Sequence, residues 1–213
     1  MIDIRTVGMS PDLVSYRDGW ALQRELHAEI VSGRRADTLL LLEHEAVYTA
    51  GARTASHERP TDGTPVVDVD RGGKITWHGP GQLVGYPIVR LTEPVDVVAH
   101  VRRLEDVLIG ITRSLGVDGK RVEGRSGVWV DHAGATEKIA AIGVRVQSGV
   151  TMHGFALNCD NSLEPFSRII PCGISDAGVT TLSALLNDDV SPRDVLPVVT
   201  SAFAAEFGTE AAA

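Results

Sequence analysis

Apolar positions along the chain recur with two periods, near two and near 3.6 residues, and the switches between them predict the order of elements. Ile2 to Val7 alternates in character as a strand does, and Gly8 to Asp12 turns the chain. From about Pro11 to Val31, Leu13, Tyr16 and Trp20, then Leu22, Leu26 and Ile30, recur at spacings of three and four, which predicts an amphipathic helix. The run Thr38 to Leu42 reads as a buried strand, and Ala46 to Thr49 as a shorter one before Gly51. Residues 51–64 read as a surface loop, and short strands follow at Val66 to Val69, Lys74 to Trp77 and Leu83 to Val89. Val97, Val101, Leu104, Leu108, Ile111 and Leu115 keep one apolar stripe from Pro94 toward Gly116, a second helix. Strands are predicted at Gly127 to Val130, Ile139 to Val146 and Thr151 to Leu157. A last helix starts with Ser191 as cap and Pro192 in its first turn, buries Leu196, Val199, Phe203 and Phe207, and is expected to bend near Pro197. The pattern predicts an α/β (α+β) fold: a mixed, mostly antiparallel sheet with covering helices.

Composition narrows this. A length of 213 residues sets the expectation of one domain over 1–213, and 43% hydrophobic with 23% charged residues is ordinary for a soluble protein. Neither a membrane-spanning run nor a secretory leader is visible, so the cytoplasm is the expected location. The net charge of −8 disfavours a nucleic-acid binder, while leaving room for a local basic patch. Two cysteines, Cys159 and Cys172, are too few for a disulfide scaffold and are expected to be free thiols.

Candidate chemistry gathers in three places. Four glycines and a proline surround one short strand pattern in Arg71, Gly72, Gly73, Lys74, Ile75, Thr76, Trp77, His78, Gly79, Pro80, Gly81 and Gln82. Glycine permits close backbone approach and leaves amide N–H groups accessible, so the stretch can cradle a thioester carbonyl or an acyl chain; a pair of tight turns is the plainer reading. A phosphate-binding P-loop is excluded because Asp68 stands where its first glycine belongs. Cys172 lies between Pro171 and Gly173, which places a thiol on a turn, although most cysteines are small buried hydrophobes. Cys159 ranks below it, because Asp160 beside it disfavours a thiolate. Lys138 opens an otherwise apolar strand, either as a solvated strand end or as a cation that lowers a thiol pKa and, once neutral, accepts a proton from an amine. His78 and His153 each precede glycine and are candidates to polarise a carbonyl. No metal is expected: His44-Glu45 lacks the second histidine of a zinc helix, and the cysteines lack metal-ligand spacing.

Taken together and in this order, Arg71 to Ile88, Lys138 to Gly143, His153 to Asn158 and Pro171 to Ile174 resemble the lipoyl(octanoyl) transferase family. The resemblance implies a domain similar to the catalytic domain of biotin and lipoate protein ligases, with Cys172 as acyl-accepting nucleophile and Lys138 as its pKa-lowering and acid/base partner. It places Arg71, Gly72, Gly73, Lys74, Ile75, Thr76, Trp77, His78, Ala141, Ile142, Gly143, Gly154, Phe155 and Ala156 in the acyl-substrate pocket. Trp77, Ile142 and Phe155 are expected to line its apolar slot. The implied reaction moves an octanoyl group from octanoyl-acyl carrier protein, through a thioester on Cys172, to a lysine of apo lipoyl domains. Those domains belong to 2-oxoacid dehydrogenase E2 subunits and the glycine cleavage H protein. Thioester to amide is downhill, so neither ATP nor a cofactor is expected. An acidic carrier calls for a basic docking patch, with Arg102 and Arg103 or Lys120, Arg121 and Arg125 as candidates. The alternatives are an ATP-dependent lipoate or biotin ligase, a cysteine acyl-thioester hydrolase, and a catalytically silent acyl- or carrier-binding module.

Overall fold

A computed structural model describes residues 2–60, 63–169 and 178–208. Its strands are β1 (Asp3–Gly8), β2 (Thr38–Leu42), β3 (Val47–Ala50), β4 (Val66–Asp68), β5 (Ile75–His78), β6 (Gln82–Ile88), β7 (Lys120–Val122), β8 (Arg125–His132), β9 (Ala135–Gln147), β10 (Val150–Asn158) and β11 (Gly178–Val179). Its helices are α1 (Tyr16–Val31), α2 (Val97–Ser114), α3 (Leu182–Leu186) and α4 (Pro192–Phe207). The main sheet runs β1-β2-β6-β10-β9-β8-β7, with β11 added beside β9; β4-β3-β5 form a second, smaller sheet. β1 on β2 and β11 on β9 are parallel, and the other main-sheet pairs are antiparallel.

The leucine run of β2 shows how the sheet is covered. Side chains alternate along a strand, so Leu39 and Leu41 join Leu104, Leu108 and Ile111 of α2 and Val195, Val199 and Phe203 of α4 on one face. Leu40 and Leu42 face the other way, onto Leu26 and Ile30 of α1. A strand buried on both faces has no polar side to show, hence the unbroken apolar run. A third cluster, Tyr48, Ile75, Trp77, Phe166 and Ile169, fixes the small sheet to a 3-10 turn at Glu164–Arg168.

Local chemistry sets the ends. Helix α1 starts at Tyr16, later than the apolar stripe suggests, because the Ser15 hydroxyl accepts the Asp18 N–H at 3.2 Å and caps it there. Asp96 caps α2 through the Ala99 N–H at 2.9 Å, and Asp194 accepts the Ser191 N–H at 2.9 Å at the start of α4. Helix α4 continues through Pro197 without a break. The β8–β9 and β9–β10 hairpins turn on Ala133-Gly134 and Ser148-Gly149, all four at positive φ, as two-residue turns of this hand require. Among the described residues no helix is long and apolar enough to cross a membrane.

Strands β6 and β10 meet at unusually close range. A Cβ on Gly154 would lie 2.2 Å from the Gly85 carbonyl oxygen. Gly154→Ala therefore has to push two central strands apart, and the expected cost is about 3 kcal/mol, seen as a Tm lowered by about 10 °C. An unchanged thermal melt would contradict this packing.

Candidate active site

Between the β9–β10 half of the main sheet and the small sheet lies a cavity of about 280 Å³, at the small end for ligand sites and suited to a narrow, unbranched group. Its roof is the loop from Arg71 to Lys74. That loop is held from within, since the buried Arg71 guanidinium donates to the carbonyls of Gly72 (3.1 Å), Lys74 (2.8 Å) and Thr49 (2.8 Å) and to the Thr49 hydroxyl (2.9 Å). The Gly72 N–H reaches across to the Val144 carbonyl at 3.0 Å. Gly143 beneath leaves the room this needs, because a Cβ there would come within 3.2 Å of both the Arg71 side chain and the Gly72 oxygen. Lys74 pairs with the buried carboxylate of Glu58.

Lys138 sits at the cavity wall with 6% of its surface exposed. Its ammonium lies 4.6 Å from the centroid of the Trp129 ring, and among the described residues no carboxylate pairs with it. The register explains its position. Trp129 faces Lys138 while Val128 faces Ala140, a bulge that places one extra residue in β9. Gly127 makes the bulge possible, with φ +110° and no room for a Cβ, which would lie 2.4 Å from the Ala140 oxygen. Strand β11 closes the other side: Val179 pairs with Lys138, and the Thr180 N–H donates to the Lys138 carbonyl at 3.0 Å.

The remaining wall is a group of buried polar rings. The His44 Nδ1 bonds the Val14 carbonyl at 2.8 Å, which fixes its proton there, so its Nε2 accepts from the Tyr86 hydroxyl at 2.7 Å. Burial pushes the His44 pKa down to about 4. An amide chain fixes His78 in the same way. Asn158 donates to the Thr180 carbonyl (3.0 Å), Gln82 donates to Asn158 (2.8 Å), and the His78 Nδ1–H donates to Gln82 (2.8 Å). The His78 Nε2 is left as an acceptor, and burial, with His44 and Arg71 nearby, pushes its pKa down to about 3. His153, at φ +59°, is anchored by its N–H to the Gln23 side chain (2.7 Å) and by its Nε2 to Asp70 (2.9 Å). Burial outweighs that carboxylate and lowers the His153 pKa. Tyr16 stacks on His78 at 6.1 Å, and burial raises its pKa to about 12, so it remains a neutral hydroxyl.

The fold brings together most of the residues that the sequence singles out. Arg71, Gly72, Gly73, Lys74, Thr76, His78, Lys138, Ala141, Ile142, Gly143, Gly154, Phe155 and Ala156 line the cavity. Ile75 and Trp77 do not. Strand alternation turns them to the far side of β5, where Trp77 packs edge-on against Phe166 at 5.7 Å. Cys172, with Pro171, Gly173 and Ile174, lies outside the described residues; the described chain resumes at Gly178, paired with Glu137 beside Lys138. Cys159 is fully buried away from the cavity, and burial pushes its thiol pKa up. Tyr16, Arg53 and Gly124 to Ser126 also line the cavity without a motif to mark them as pocket residues, and Tyr86 joins them from within the Arg71 to Ile88 motif, beyond the stretch assigned to the pocket. Arg53, Arg71, Lys74, Arg125 and Lys138 make its wall basic, with no Asp or Glu among the lining residues. The docking candidates outside it are neutralised locally: Arg102 and Arg121 pair with Glu105, Arg121 also with Asp106, Arg103 with Glu206 and Lys120 with Asp131. No group of three metal-ligating side chains occurs among the described residues.

Comparison with known proteins gives concordant results. Residues 15–204 match the model of the lipoyl protein ligase A/B catalytic domain. An octanoyltransferase of Leifsonia xyli subsp. xyli is 60% identical over 214 residues, which cover 100% of this chain and 96% of that protein. A bi-partite lipoate protein ligase of Thermoplasma acidophilum shares the fold at a TM-score of 0.71 and 14% identity, covering 99% of this chain and 86% of that one. The biotin protein ligase of Aquifex aeolicus shares it more distantly, at a TM-score of 0.54 and 14% identity over 97% of this chain and 68% of that one.

Proposed function

Because the chain belongs to the octanoyltransferases of the lipoyl protein ligase A/B catalytic-domain family, and is on that ground an acyltransferase, we propose that it carries an octanoyl group from acyl carrier protein to a lipoyl-domain lysine through Cys172. In the first half-reaction the Cys172 sulfur attacks the thioester carbonyl of the loaded carrier. A C–S bond forms to Cys172, the bond to the carrier sulfur breaks, and the proton lost by Cys172 ends on the departing carrier thiol. In the second, the ε-amine of the acceptor lysine attacks the enzyme thioester, a C–N bond forms, and Cys172 leaves as thiol after Lys138 has passed on the amine's proton. Backbone N–H groups around the glycine-rich loop are the candidates to stabilise the tetrahedral oxyanion.

The observation that carries this reading is a buried lysine, unpaired by any described carboxylate, in a narrow cavity whose lining holds four further basic side chains (Arg53, Arg71, Arg125 and Lys74, the last paired with Glu58) and no acid. In a chain of net charge −8, that local excess suits a substrate delivered on a phosphate-bearing arm of an acidic carrier. The apolar backbone channel of Ala141, Ile142, Gly143 and Ala156 suits the acyl chain. Cys159 does not compete for the nucleophile's role, being a buried thiol.

The test is intact-protein mass spectrometry after mixing with octanoyl-loaded carrier in the absence of ATP. An octanoyl mass increment is expected on the wild type, absent from Cys172→Ser and discharged by an apo lipoyl domain. An increment that persists in Cys172→Ser removes the assigned nucleophile. Loading that requires ATP and free octanoate replaces the transferase with a ligase.

A further inference from the structure

One end of the cavity is unlike the rest. Lys138 and Arg125 stand together over the Trp129 ring at one end, while Tyr16, His78, Tyr86 and His153 gather into one group of rings toward the other. Along β9 the two are separated, because His153 pairs with Val144, six residues from Lys138, and the Lys138 side chain and the rings both reach into the space between. The stretch between is formed by Ala141, Ile142 and Gly143, but the rings beyond it present hydrogen-bonding atoms.

Those atoms are under-used by the protein. The His78 Nε2 lone pair has no partner among the described residues, since its proton is committed to Gln82. Tyr86 donates to His44 and keeps its oxygen lone pairs, and the Tyr16 hydroxyl has only a long 3.5 Å contact to His153. Behind them, Trp20 Nε1 and Gln23 Nε2 are buried donors without a partner among the described residues. Buried polar groups so placed favour water or a polar ligand atom and resist a methyl group, which offers no hydrogen bond.

We infer that Tyr16, His78, Tyr86 and His153 form a polar end wall that sets the length of acyl chain the cavity accepts. The inference rests on the acyl-site reading above, with the carboxyl end of the chain at Lys138. Each methylene laid against the middle stretch raises affinity by about fourfold. The gain stops where the next one must displace hydrogen-bonding partners of the rings. The wall works by polarity more than by volume, so it is removable without enlarging the cavity.

Straight-chain fatty acids of six, eight, ten and twelve carbons serve as probes, their carboxylates drawn to the basic end, with Kd measured by calorimetry. The wild type is expected to gain about fourfold per methylene up to the eight-carbon acid and little from there to ten. Tyr16→Phe, which keeps the ring, and Tyr16→Phe combined with His78→Leu are expected to restore the gain, so that the ten-carbon acid binds the double variant about tenfold more tightly than it binds the wild type. A steady rise past eight carbons in the wild type, the wild-type break retained in both variants, or no binding of any acid would each overturn the wall. Because free-acid binding needs neither Cys172 nor transfer, a normal length profile in a protein that forms no acyl adduct leaves the wall standing and removes the transfer reading alone.

Discussion

Lys138→Met is expected to slow octanoyl transfer by about 10² to 10⁴-fold and to lower the Tm by only a few degrees. The stem of methionine keeps the packing that Lys138 makes at the bulge. What the substitution removes is the cation over Trp129, worth about 1 kcal/mol and therefore about 2 to 4 °C. No described carboxylate is left unpaired by the change, so the usual reason for a buried-charge substitution to unfold a protein is missing here. Lys138→Arg separates the two roles assigned to the residue. Arginine keeps the positive charge that the proposed mechanism sets against the Cys172 thiol but does not give up its proton, so loading from the carrier should outlast discharge to the acceptor amine. Adduct formation and adduct discharge, timed separately by mass spectrometry, measure the two steps. A Lys138→Met enzyme that turns over at the wild-type rate would leave the proposed proton transfer without its residue.

Acid is expected to destabilise the protein steeply below about pH 6.5. Burial holds His78 at about 3, and His44 and His100 at about 4, against an ordinary histidine value of 6.5. The unfolded chain therefore takes up protons that the folded one refuses, and stability rises with pH through the window between the two values. The contribution is complete above 6.5 and is lost as pH falls through the window toward 4 and 3. Each histidine gives a limiting slope of about 1.4 kcal/mol per pH unit, so three together remove about 5 kcal/mol between pH 6.5 and 5, which is comparable to the whole stability of many domains. Asp37 and Asp160, whose carboxyls burial raises, act in the opposite sense and soften the fall. His100→Leu should flatten the curve by about a third, since the His100 Nε2 is buried without a partner among the described residues and its loss breaks no bond at that atom. Urea midpoints measured from pH 7.5 to 5 check this, and a flat profile contradicts it.

Long periodic segments are legible from sequence, while short or composite ones are not. The stripe from Val97 to Leu115 predicts α2 to within a few residues, because one buried face enforces the spacing. Strand β7, with three residues, β11, with two, and α3, with five, are too short to show a period. Tertiary pairing, which no local pattern records, is what makes them regular. The separation into two sheets is equally invisible, since β3, β4 and β5 look like any other short strands. At the cavity, resemblance to a family names most of the lining, because that signal lives in contiguous motifs. Tyr16, Tyr86 and Arg53 come from three separate segments and meet only in space. Tyr16 belongs to the apolar stripe of its helix, which is true of its ring and silent about its hydroxyl. For Ile75 and Trp77, a contiguous motif suggests a contiguous wall, whereas alternation along β5 sends every second residue elsewhere.

The amide chain from Thr180 through Asn158 and Gln82 to His78 also bears on where protons can travel. Carboxamides hydrogen-bond in a fixed sense but do not ionise near neutral pH, so this chain orients His78 and cannot conduct a proton away from it. His78 and His44 are both held neutral, so neither brings a charge to the ring-lined end of the cavity. In the proposed reaction the attacking amine gives its proton to Lys138, at the end of the cavity away from the rings toward which the hydrocarbon is proposed to point, so hydrocarbon and proton would leave the reacting carbon in opposite directions.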